Sequence, residues 1–518
     1  MLQRARAAIA AVALLLATIP QTAPAQDVEL RSFDGTVELE GNLIAYDGAY
    51  YQIETVYGPL TVSAEGVSCA GPGCPDLTSF VAEAYIAGAA TVAEGLLPDL
   101  LSAFAAQQDL SLQREDEGDG LVYTLMRPDD QPAARFFVRP TTTDGGFLAL
   151  LNGEVDIALS LREPDAPERI AARDQAPDDP PLTRRVRVLA LDALVPIVSP
   201  DNPVTSIDMS ELARLFSGEI DSWAALGGPD APVALHLLAP GLGPAQDFAG
   251  RILLATDRPL ADGIIRHESA ADLARAVARD AFAIGISSRS MVGAARSLPL
   301  TGPCGFSQSA TPDAIKSEDY PLTAPVYLYL APYRLPQLVR QFLDFTETSE
   351  AERVVQAAGY VNQSLTRTPL SLQGERLGNA VLAAGEEVNL ETLQAMLRRL
   401  AGAERLSPTF RFAGGATELD TQSRAAIGRL VTAIEAGLFD GRTLLFVGFS
   451  DSAGSAQVNM RLAQNRAEAV LEAVRAATDS ADARVTLRAE AFGEALPMAC
   501  EDTDWGSAVN RRVEVWVE

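Results

Sequence analysis

The sequence has very little histidine, and this scarcity limits the catalytic sites that it can build. Only His236 and His267 occur in 518 residues, and neither lies in a serine–histidine–aspartate, cysteine–histidine or metal-ligand pattern. We therefore expect a surface or structural role for each histidine. The sequence predicts a protein that is not an enzyme and that needs no cofactor or metal.

Basic residues are also scarce relative to acidic ones. The chain has 41 Lys and Arg against 69 Asp and Glu, which gives a formal net charge of −28. Such a surface repels the phosphate backbone that dominates nucleic-acid affinity, so nucleic-acid binding is excluded as a function. The 47% hydrophobic and 21% charged content is typical of folded proteins, and the length predicts several domains.

Long apolar runs are absent after the first residues of the chain. The opening segment, MLQRARAAIAAVALLLATIPQTAPAQ, has two arginines, an apolar run too short to cross a bilayer, and APA ending at Ala25. This pattern predicts a secretory signal peptide over residues 1–25, cleaved before Gln26. We therefore expect an exported protein with no transmembrane segment in its mature chain.

The four cysteines are few enough to consider one by one. Export makes them potential disulfide partners, and Cys69 and Cys74 flank AGPG, a turn-forming segment that brings their sulfurs together. We predict a local disulfide there, since no further ligands for a zinc site lie nearby. Cys304 and Cys500 are distant in sequence, and they either pair with each other across domains or stay free.

The chain shows no internal repeat and no low-complexity tract, but its pattern changes three times. Residues 26–76 alternate polar and apolar side chains between turn signals and predict a small β module. Residues 80–362 alternate strands and helices, which predicts an α/β domain with a mainly parallel sheet. Residues 363–406 have helical spacing and predict a connector that is a plain linker helix. Residues 407–518 predict a separate compact α/β domain.

The closing strand of that last domain has its own pattern. Val513, Val515 and Val517 stand at every second position and point one way, which is typical of a half-buried strand. The predicted fold class is therefore a multidomain α/β protein.

Several phrases of the central domain occur in a fixed order, among them DALVPIVSPDNPVTSIDMSELARLFSGEIDSWAALGG, DAFAIGISSRS and YPLTAPVYLYL. Together they resemble the periplasmic phosphate-binding proteins of ABC transporters. The resemblance implies two α/β lobes joined by crossover strands, with a ligand in the cleft between them. It also implies an anion held by hydroxyls, by amides at helix N-termini and by an arginine.

The cleft positions implied by this resemblance depart from the family pattern. Leu242 and Pro244 replace two hydroxyl residues, and Leu238 stands where an arginine is expected. We therefore expect free phosphate to bind weakly, with Asp144 repelling it further. If the loops are placed a few residues differently, the remaining polar candidates form an anion site: Thr91, Thr142, Thr143, Ser160 and Arg162.

The last domain combines FRFAGGATELD, GFSDSAG, NMRLAQNRAEAV and NRRVEVWV over nearly all of residues 407–518. This combination resembles the OmpA-like peptidoglycan-binding family. The resemblance implies that Asp451 and Arg466 hold the two charged ends of meso-diaminopimelate in the stem peptide. An ammonium group needs the carboxylate, and a carboxylate fits the guanidinium in two parallel hydrogen bonds.

The helix after Asp451 supports this assignment by its periodicity. The predicted buried stripe comprises Ala463, Ala467, Val470, Leu471 and Val474. Asn459 and Arg466 are seven residues apart and share a different face, which looks toward the loop of Asp451. In NRRV, Arg511 or Arg512 either reaches the ligand or pairs with nearby acids. The family pattern is not kept at Phe449, Ser450 and Ser507.

Taken together, the sequence predicts a non-enzymatic periplasmic protein that binds peptidoglycan beneath the outer membrane and presents a domain with an altered anion pocket. The alternative function is a receptor for phosphate or another small anion that works with an ABC transporter. A receptor needs polar groups that converge in the cleft, so the cleft distinguishes the two functions.

Overall fold

The structure is a computed structural model that describes residues 27–77, 79–118, 120–177, 179–240, 242, 248, 258–383, 388–412, 419–478, 480–501 and 504–518. The chain divides into two compact units, one up to Phe80 and one from Val81 onward. The predicted signal peptide and Pro244 lie outside the described residues. In the part that is described, no helix has both the length and the apolar character needed to span a bilayer.

The first unit is a small antiparallel sheet whose strands alternate apolar and polar residues. Val28, Leu30, Tyr51 and Ile53 point to one side and form its core. The strands pair in the order β4-β3-β2-β1-β5. They are β1 (Val28–Ser32), β2 (Glu38–Tyr46), β3 (Tyr50–Thr55), β4 (Gly58–Ser63) and β5 (Val67–Ala70).

A disulfide closes the end of this unit. Cys69 and Cys74 are bonded, with their Cα atoms 5.8 Å apart. Gly71 in the intervening turn has φ +121°, and an added Cβ would lie 2.4 Å from the carbonyl oxygen of Asp27. The turn therefore requires glycine at this position.

The second unit begins with a lobe built on parallel strands β6, β9 and β10. Antiparallel strands β8 and β7 extend its edge. The elements are β6 (Ala82–Ala89), α1 (Ala90–Glu94), α2 (Leu96–Gln107), β7 (Ser111–Glu117), β8 (Gly120–Met126), β9 (Pro132–Thr141), α3 (Thr143–Leu151), β10 (Ile157–Ser160) and α4 (Ala166–Gln175).

A long strand, β11 (Val186–Val198), leads into a second lobe, and β19 (Thr323–Leu330) leads back. These two strands pair antiparallel at the centre of one continuous sheet. Its second-lobe strands are β13 (Ala234–Leu238), β14 (Ile265–His267) and β15 (Ala283–Ser288), and the strand order is β14-β13-β15-β11-β19-β10-β6-β9-β8-β7. Each lobe thus contains three parallel strands, and the pairs that β11 and β19 make at the junction of the lobes are antiparallel. The predicted two-lobed architecture with crossover strands is confirmed.

The second lobe and the return to the first contain the following elements: β12 (Ile207–Asp208), α5 (Met209–Phe216), β13 (Ala234–Leu238), β14 (Ile265–His267), α6 (Ala270–Arg279), β15 (Ala283–Ser288), β16 (Arg296–Ser297), β17 (Leu300–Thr301), β18 (Ser307–Gln308), α7 (Pro312–Lys316), α8 (Gln337–Phe345) and α9 (Ser349–Ala357).

The C-terminal domain is a five-stranded sheet in the order β20-β21-β24-β22-β23. Its elements are β20 (Arg367–Pro369), α10 (Gly374–Leu382), α11 (Leu390–Leu400), β21 (Glu404–Arg411), α12 (Thr421–Glu435), β22 (Thr443–Phe449), α13 (Ala456–Ala477), α14 (Ala481–Arg484), β23 (Thr486–Gly493), α15 (Asp504–Asn510) and β24 (Arg512–Val517). Helices α12 and α13 cover one face of the sheet.

The segment predicted as a plain linker helix instead covers the other face. Helix α10 contributes Ala380, and helix α11 contributes Leu393, Met396 and Leu400, to a core cluster that also contains Trp516 of the sheet. The valine alternation predicted that the final strand is half-buried, and this prediction is wrong because the helices cover its second face. All six residues of β24 are buried, including the charged side chains of its second face.

The buried second face of β24 contains a cluster of charged side chains, in which three arginines form ion pairs with one carboxylate. Glu514 lies within 2.5 Å of Arg376, 2.8 Å of Arg512 and 3.3 Å of Arg405. Burial by itself raises the pKa of Glu514, but the three guanidinium groups outweigh it and hold that pKa below its ordinary value. The cluster therefore keeps its charges in the interior.

The C-terminal domain is joined to the second lobe covalently and by ion pairs. Cys304 and Cys500 form a disulfide with their Cα atoms 5.7 Å apart, which resolves the alternatives left open by the sequence. Arg405 donates to both carboxylate oxygens of Asp319, at 2.6 and 3.0 Å, and both side chains are buried.

The same domain also contacts the first lobe. Glu163, just after β10, accepts a hydrogen bond of 2.8 Å from the backbone N–H of Thr421 at the start of α12. On the next turn of that helix, Arg424 donates to the carbonyl oxygen of Thr183 at 3.2 Å. The C-terminal domain is therefore fastened to both lobes.

Candidate functional site

The loop after β22 carries the predicted ligand-binding aspartate, and the strand before it packs closely on the helix that follows. Gly448 lies at the contact, and an added Cβ there would be 2.0 Å from the carbonyl oxygen of Ala463 in α13. Glycine thus lets the helix pack directly on the strand. The loop ends at Ser455, the residue that precedes α13. Asp451 in this loop is 9% exposed.

Arg466 of α13 is a buried cation without a complete set of partners. The side chain is 7% exposed, and its Nη1 has no hydrogen-bond partner among the described residues. Burial lowers the pKa of the Arg466 guanidinium, the charge of Arg511 lowers it further, and Asp451 opposes both. A buried donor without an acceptor costs free energy, which an incoming carboxylate would recover.

Arg511 completes the charged group, and the structure separates it from its neighbour. Arg511 donates to Oδ2 of Asp451 at 2.6 Å, so it belongs to the site. Arg512 points to the other side of β24, where it is fully buried against Glu514. Asp451, Arg466 and Arg511 therefore form one cluster with two cations and one anion.

Two further polar groups of this region are buried without a full set of partners. The Nδ2 of Asn459 donates to Glu494 at 2.7 Å, while its Oδ1 has no partner among the described residues. The hydroxyl of Ser450 is also buried, and it has no hydrogen-bond partner among the residues that the structure describes. The predicted apolar stripe of α13 is buried, and Asn459 and Arg466 are buried with it.

The five predicted cleft residues follow three strands that run parallel. Thr91 follows β6, Thr142 and Thr143 follow β9, and Ser160 and Arg162 lie at the end of β10. The carboxyl ends of parallel strands meet at one edge of a sheet, so these residues share that edge.

The hydroxyls at this edge are mostly engaged with the backbone. Thr142 caps α3 by accepting from the N–H of Gly145 at 2.9 Å, and Thr143 accepts from the N–H of Leu161 at 3.2 Å. Ser160 is fully buried and donates to the carbonyl oxygen of Arg162 at 2.6 Å. For Thr91, the carbonyl oxygen accepts from the Tyr360 hydroxyl at 3.4 Å.

Arg162, the cation predicted to face the cleft, is paired with two acids. It donates to Glu168 at 2.7 and 2.8 Å and to Asp144 at 2.5 Å, and it lies 5.1 Å from the centre of the Phe147 ring. The hydrogen bonds that Arg162 donates to Glu168 and Asp144 raise the pKa of its guanidinium group, although burial opposes the shift. Its charge is therefore neutralised within the protein.

Two of the three positions at which the sequence predicts a departure from the phosphate-binding pattern pack against the apolar core. Leu238 is 1% exposed in the core of the second lobe, and Leu242 is partly buried against the same core. Pro244 is outside the described residues.

Asp192 is a buried acid on β11 that was not predicted from the sequence. Its carboxylate accepts from the backbone N–H and the hydroxyl of Ser290, at 3.2 and 2.6 Å. Burial raises the pKa of Asp192, although the hydrogen bonds from Ser290 oppose this shift. A single acid inside the apolar run of β11, VRVLALDALVPIV, is the signal that could have identified it.

The two histidines lie on neighbouring strands and contact each other. The Nδ1 of His236 and the Nε2 of His267 are 2.9 Å apart, and burial together with the second ring lowers the pKa of His236. Across the described part of the chain, no three side chains of the metal-binding types are grouped as a metal site.

Comparison with known proteins identifies two families along the chain. Residues 80–350, more than half of the chain, match the family model described as PBP superfamily domain, so the chain belongs to this superfamily. Residues 411–511 match the OmpA family, so the C-terminal domain is an OmpA family domain. Both families are groups of binding proteins.

Individual relatives cover different parts of the chain. Protein SphX of Synechococcus elongatus is 26% identical over 240 residues, which is 44% of this chain and 67% of SphX. The probable lipoprotein YiaD of Escherichia coli is 42% identical over 69 residues, 13% of this chain and only 30% of YiaD. An ABC-type phosphate transport receptor from Vibrio cholerae has a TM-score of 0.41 and 20% identity, covering 54% of this chain and 99% of that one.

Proposed function

We propose that the protein binds peptidoglycan through the zwitterionic end of meso-diaminopimelate. The observation that carries this proposal is the buried guanidinium of Arg466, with Nη1 unpartnered among the described residues, in one cluster with the Asp451–Arg511 pair. In this assignment Arg466 binds the carboxylate of the ligand, and Asp451 accepts hydrogen bonds from its ammonium group.

Arg511 has a defined place in this mechanism. It donates to Oδ2 of Asp451, and no described residue donates to Oδ1, which remains an acceptor for the ammonium group. The second cation also balances the carboxylate that the ligand brings. Asn459 is assigned to the same site because its buried Oδ1 lacks a donor among the described residues.

We further propose that the central domain has an altered anion pocket and that the protein is not an enzyme. Arg162 is neutralised by Glu168 and Asp144, and the hydroxyls of Thr142, Thr143 and Ser160 are in internal hydrogen bonds. A free phosphate would have to displace the ion pairs of Arg162 and the hydrogen bond that Ser160 donates. Thr142 and Thr143 act as acceptors in their hydrogen bonds with backbone N–H groups, so their O–H groups can still donate. Charged hydrogen bonds are worth about 1.5–3 kcal/mol each, so losing two or three removes most specific affinity.

The proposed location is the periplasm, with the protein attached to peptidoglycan beneath the outer membrane. Two disulfides support this location, because they form and persist in oxidising compartments.

The test is sedimentation of the full chain from residue 26 with purified sacculi that contain diaminopimelate. Asp451→Ala should weaken binding about ten- to a hundredfold, since it removes a charged hydrogen bond. Sacculi whose stem peptide carries lysine, which lacks the second carboxylate, should bind little of the parent protein. Asp440→Ala, an exposed acid of the same domain, is the matched control. Equal sedimentation of Asp451→Ala and the parent would disprove the assignment.

A second candidate function is a receptor for phosphate or another small anion in ABC-type transport. The match of residues 80–350 to the PBP superfamily favours it. Calorimetric titration with phosphate distinguishes the two: the altered pocket predicts no micromolar binding, and the receptor predicts it.

A further inference from the structure

The loop that carries Asp451 is tied to a distant segment by one carboxylate. Glu501 accepts from the backbone N–H of Ser452 at 2.8 Å and also from the Ser452 hydroxyl. Its other oxygen accepts from Nδ2 of Asn510 at 2.7 Å. Ser452 follows Asp451, and Asn510 precedes Arg511. Glu501 therefore links the two residues that flank the Asp451–Arg511 pair.

Asn510 fixes the backbone just before Glu501. This side chain is fully buried, and its Oδ1 accepts from the N–H groups of Met498 and Ala499 at 2.6 and 3.1 Å. Its Nδ2 also donates to the carbonyl oxygen of Ala499 at 3.0 Å. Residues 498–501 thus form a short supporting segment on one side of the ligand-binding cluster.

The supporting segment is in turn held by the second lobe of the central domain. Cys500 is disulfide-bonded to Cys304, whose backbone N–H points at the Cys500 sulfur at 3.1 Å. Cys304 lies in a tight turn in which Gly305 donates to Gly302 at 3.0 Å. The sulfur packs so closely on this turn that a Cβ at Gly302 would lie 2.5 Å from it.

We propose that the Cys304–Cys500 disulfide and Glu501 are positioning elements of the peptidoglycan site, through which the central domain holds the Asp451 loop in its binding geometry. This inference rests on the proposed function of Asp451 and Arg466. Cys500 is adjacent to Glu501, so the covalent bond limits the movement of the carboxylate that fixes Ser452. The central domain then contributes to peptidoglycan affinity without contacting the ligand.

Opening the disulfide leaves residues 498–501 with their hydrogen bonds alone. The Asp451 loop must then be ordered when the ligand binds, and ordering one or two side chains weakens binding by about three- to tenfold. Glu501→Gln should have the same effect with the disulfide intact. Glutamine has one acceptor oxygen, and its amide would face the Nδ2 donor of Asn510.

The experiment compares four forms of the full chain from residue 26: the parent, Cys304→Ser/Cys500→Ser, Glu501→Gln, and all three changes together. Cys69→Ser/Cys74→Ser, which removes the other disulfide, is the matched control. Two quantities are measured for each form: binding to diaminopimelate-containing sacculi, and the rate of hydrogen exchange at the Ser452 amide. We expect three- to tenfold weaker binding in each altered form and faster exchange at Ser452. The combined form should bind no more weakly than either alone, because both changes act through one loop.

The outcomes separate this inference from the proposed function. If the parent binds, Asp451→Ala does not, and the altered forms bind like the parent, the positioning role is wrong and the site stands. If Asp451→Ala binds like the parent, the site itself is wrong. Additive weakening in the combined form, or equal loss in the control, would show a general effect on stability and overturn the inference. If the serine form does not fold, Glu501→Gln decides the question by itself.

Discussion

Replacing Glu514 by glutamine should strongly destabilise the C-terminal domain, because this carboxylate neutralises three buried arginines. Arg376, Arg405 and Arg512 all lie within 3.3 Å of it, and it is fully buried. Asp319 is the other acid of the group and already pairs with Arg405. Glutamine keeps the shape but leaves buried positive charge uncompensated, and breaking a buried pair in this way costs about 3–5 kcal/mol.

The measurement is thermal unfolding of the full chain followed by circular dichroism. A cost of 3–5 kcal/mol should lower the midpoint of the C-terminal transition by roughly 6–20 °C, at about 2–4 °C per kcal/mol for a domain of this size. Glu490→Gln is the matched control. Glu490 lies on the edge strand β23, and its ion pair with Arg399 of α11 is partly exposed. This substitution should change stability by less than about 1 kcal/mol. Equal midpoints for Glu514→Gln and the control would refute the reasoning.

The pH dependence of the same difference has a defined sign. The pKa of Glu514 is lowered in the folded protein, so its ionisation stabilises the fold at every pH above the ordinary glutamate value. That contribution declines once the pH falls below the ordinary glutamate value, and it is fully lost when the pH has fallen through the lowered folded value. The parent should therefore keep its advantage over Glu514→Gln from neutral pH down to about 4.5, and lose it progressively below that pH.

Three further predictions concern the site and the disulfides. Arg466→Lys should weaken sedimentation with sacculi about as much as alanine does, because an ammonium group cannot make the two parallel hydrogen bonds; recovery of parental binding would contradict the bidentate contact. Gly448→Ala should unfold or strongly destabilise the C-terminal domain, since the new methyl group would meet the Ala463 carbonyl at 2.0 Å, and a midpoint within a few degrees of the parent would oppose this. Peptide mapping without reduction should recover Cys69 and Cys74 as one linked peptide; alkylated free thiols at both positions would exclude the bond in the isolated protein.

The fold could be predicted from the sequence wherever a pattern depends on one face of one element. The valine alternation of β24 correctly identified a strand with Val513, Val515 and Val517 on its apolar side. It could not show that Arg512 and Glu514 are also buried, because their burial depends on Arg376 and Arg405, more than a hundred residues earlier. For the same reason, helical spacing located α10 and α11 but not the sheet face that they cover.

The candidate site divides in the same way. Asp451 and Arg466 were implied by the resemblance to the OmpA-like family, and in the structure Asp451 pairs with Arg511 while the charges of both act on Arg466. Glu501 could not be found from sequence, because its partner Ser452 lies 49 residues away. Arg162 was predicted as a cleft cation, and its neutralisation by Asp144, 18 residues before it, is a tertiary contact.

The attachment of the C-terminal domain to both lobes has a mechanical consequence. Binding proteins of this architecture close on their ligands by rotating one lobe against the other about a hinge. Here Glu163 and Thr183 hold α12 on the side of the first lobe, while Cys304 and Asp319 hold the same domain on the second. A rotation must therefore break the contacts on one side or strain the domain between them. If that strain reaches the proposed peptidoglycan site, a ligand in the cleft changes the affinity for peptidoglycan, and linkage requires peptidoglycan to change the affinity for that ligand by the same factor.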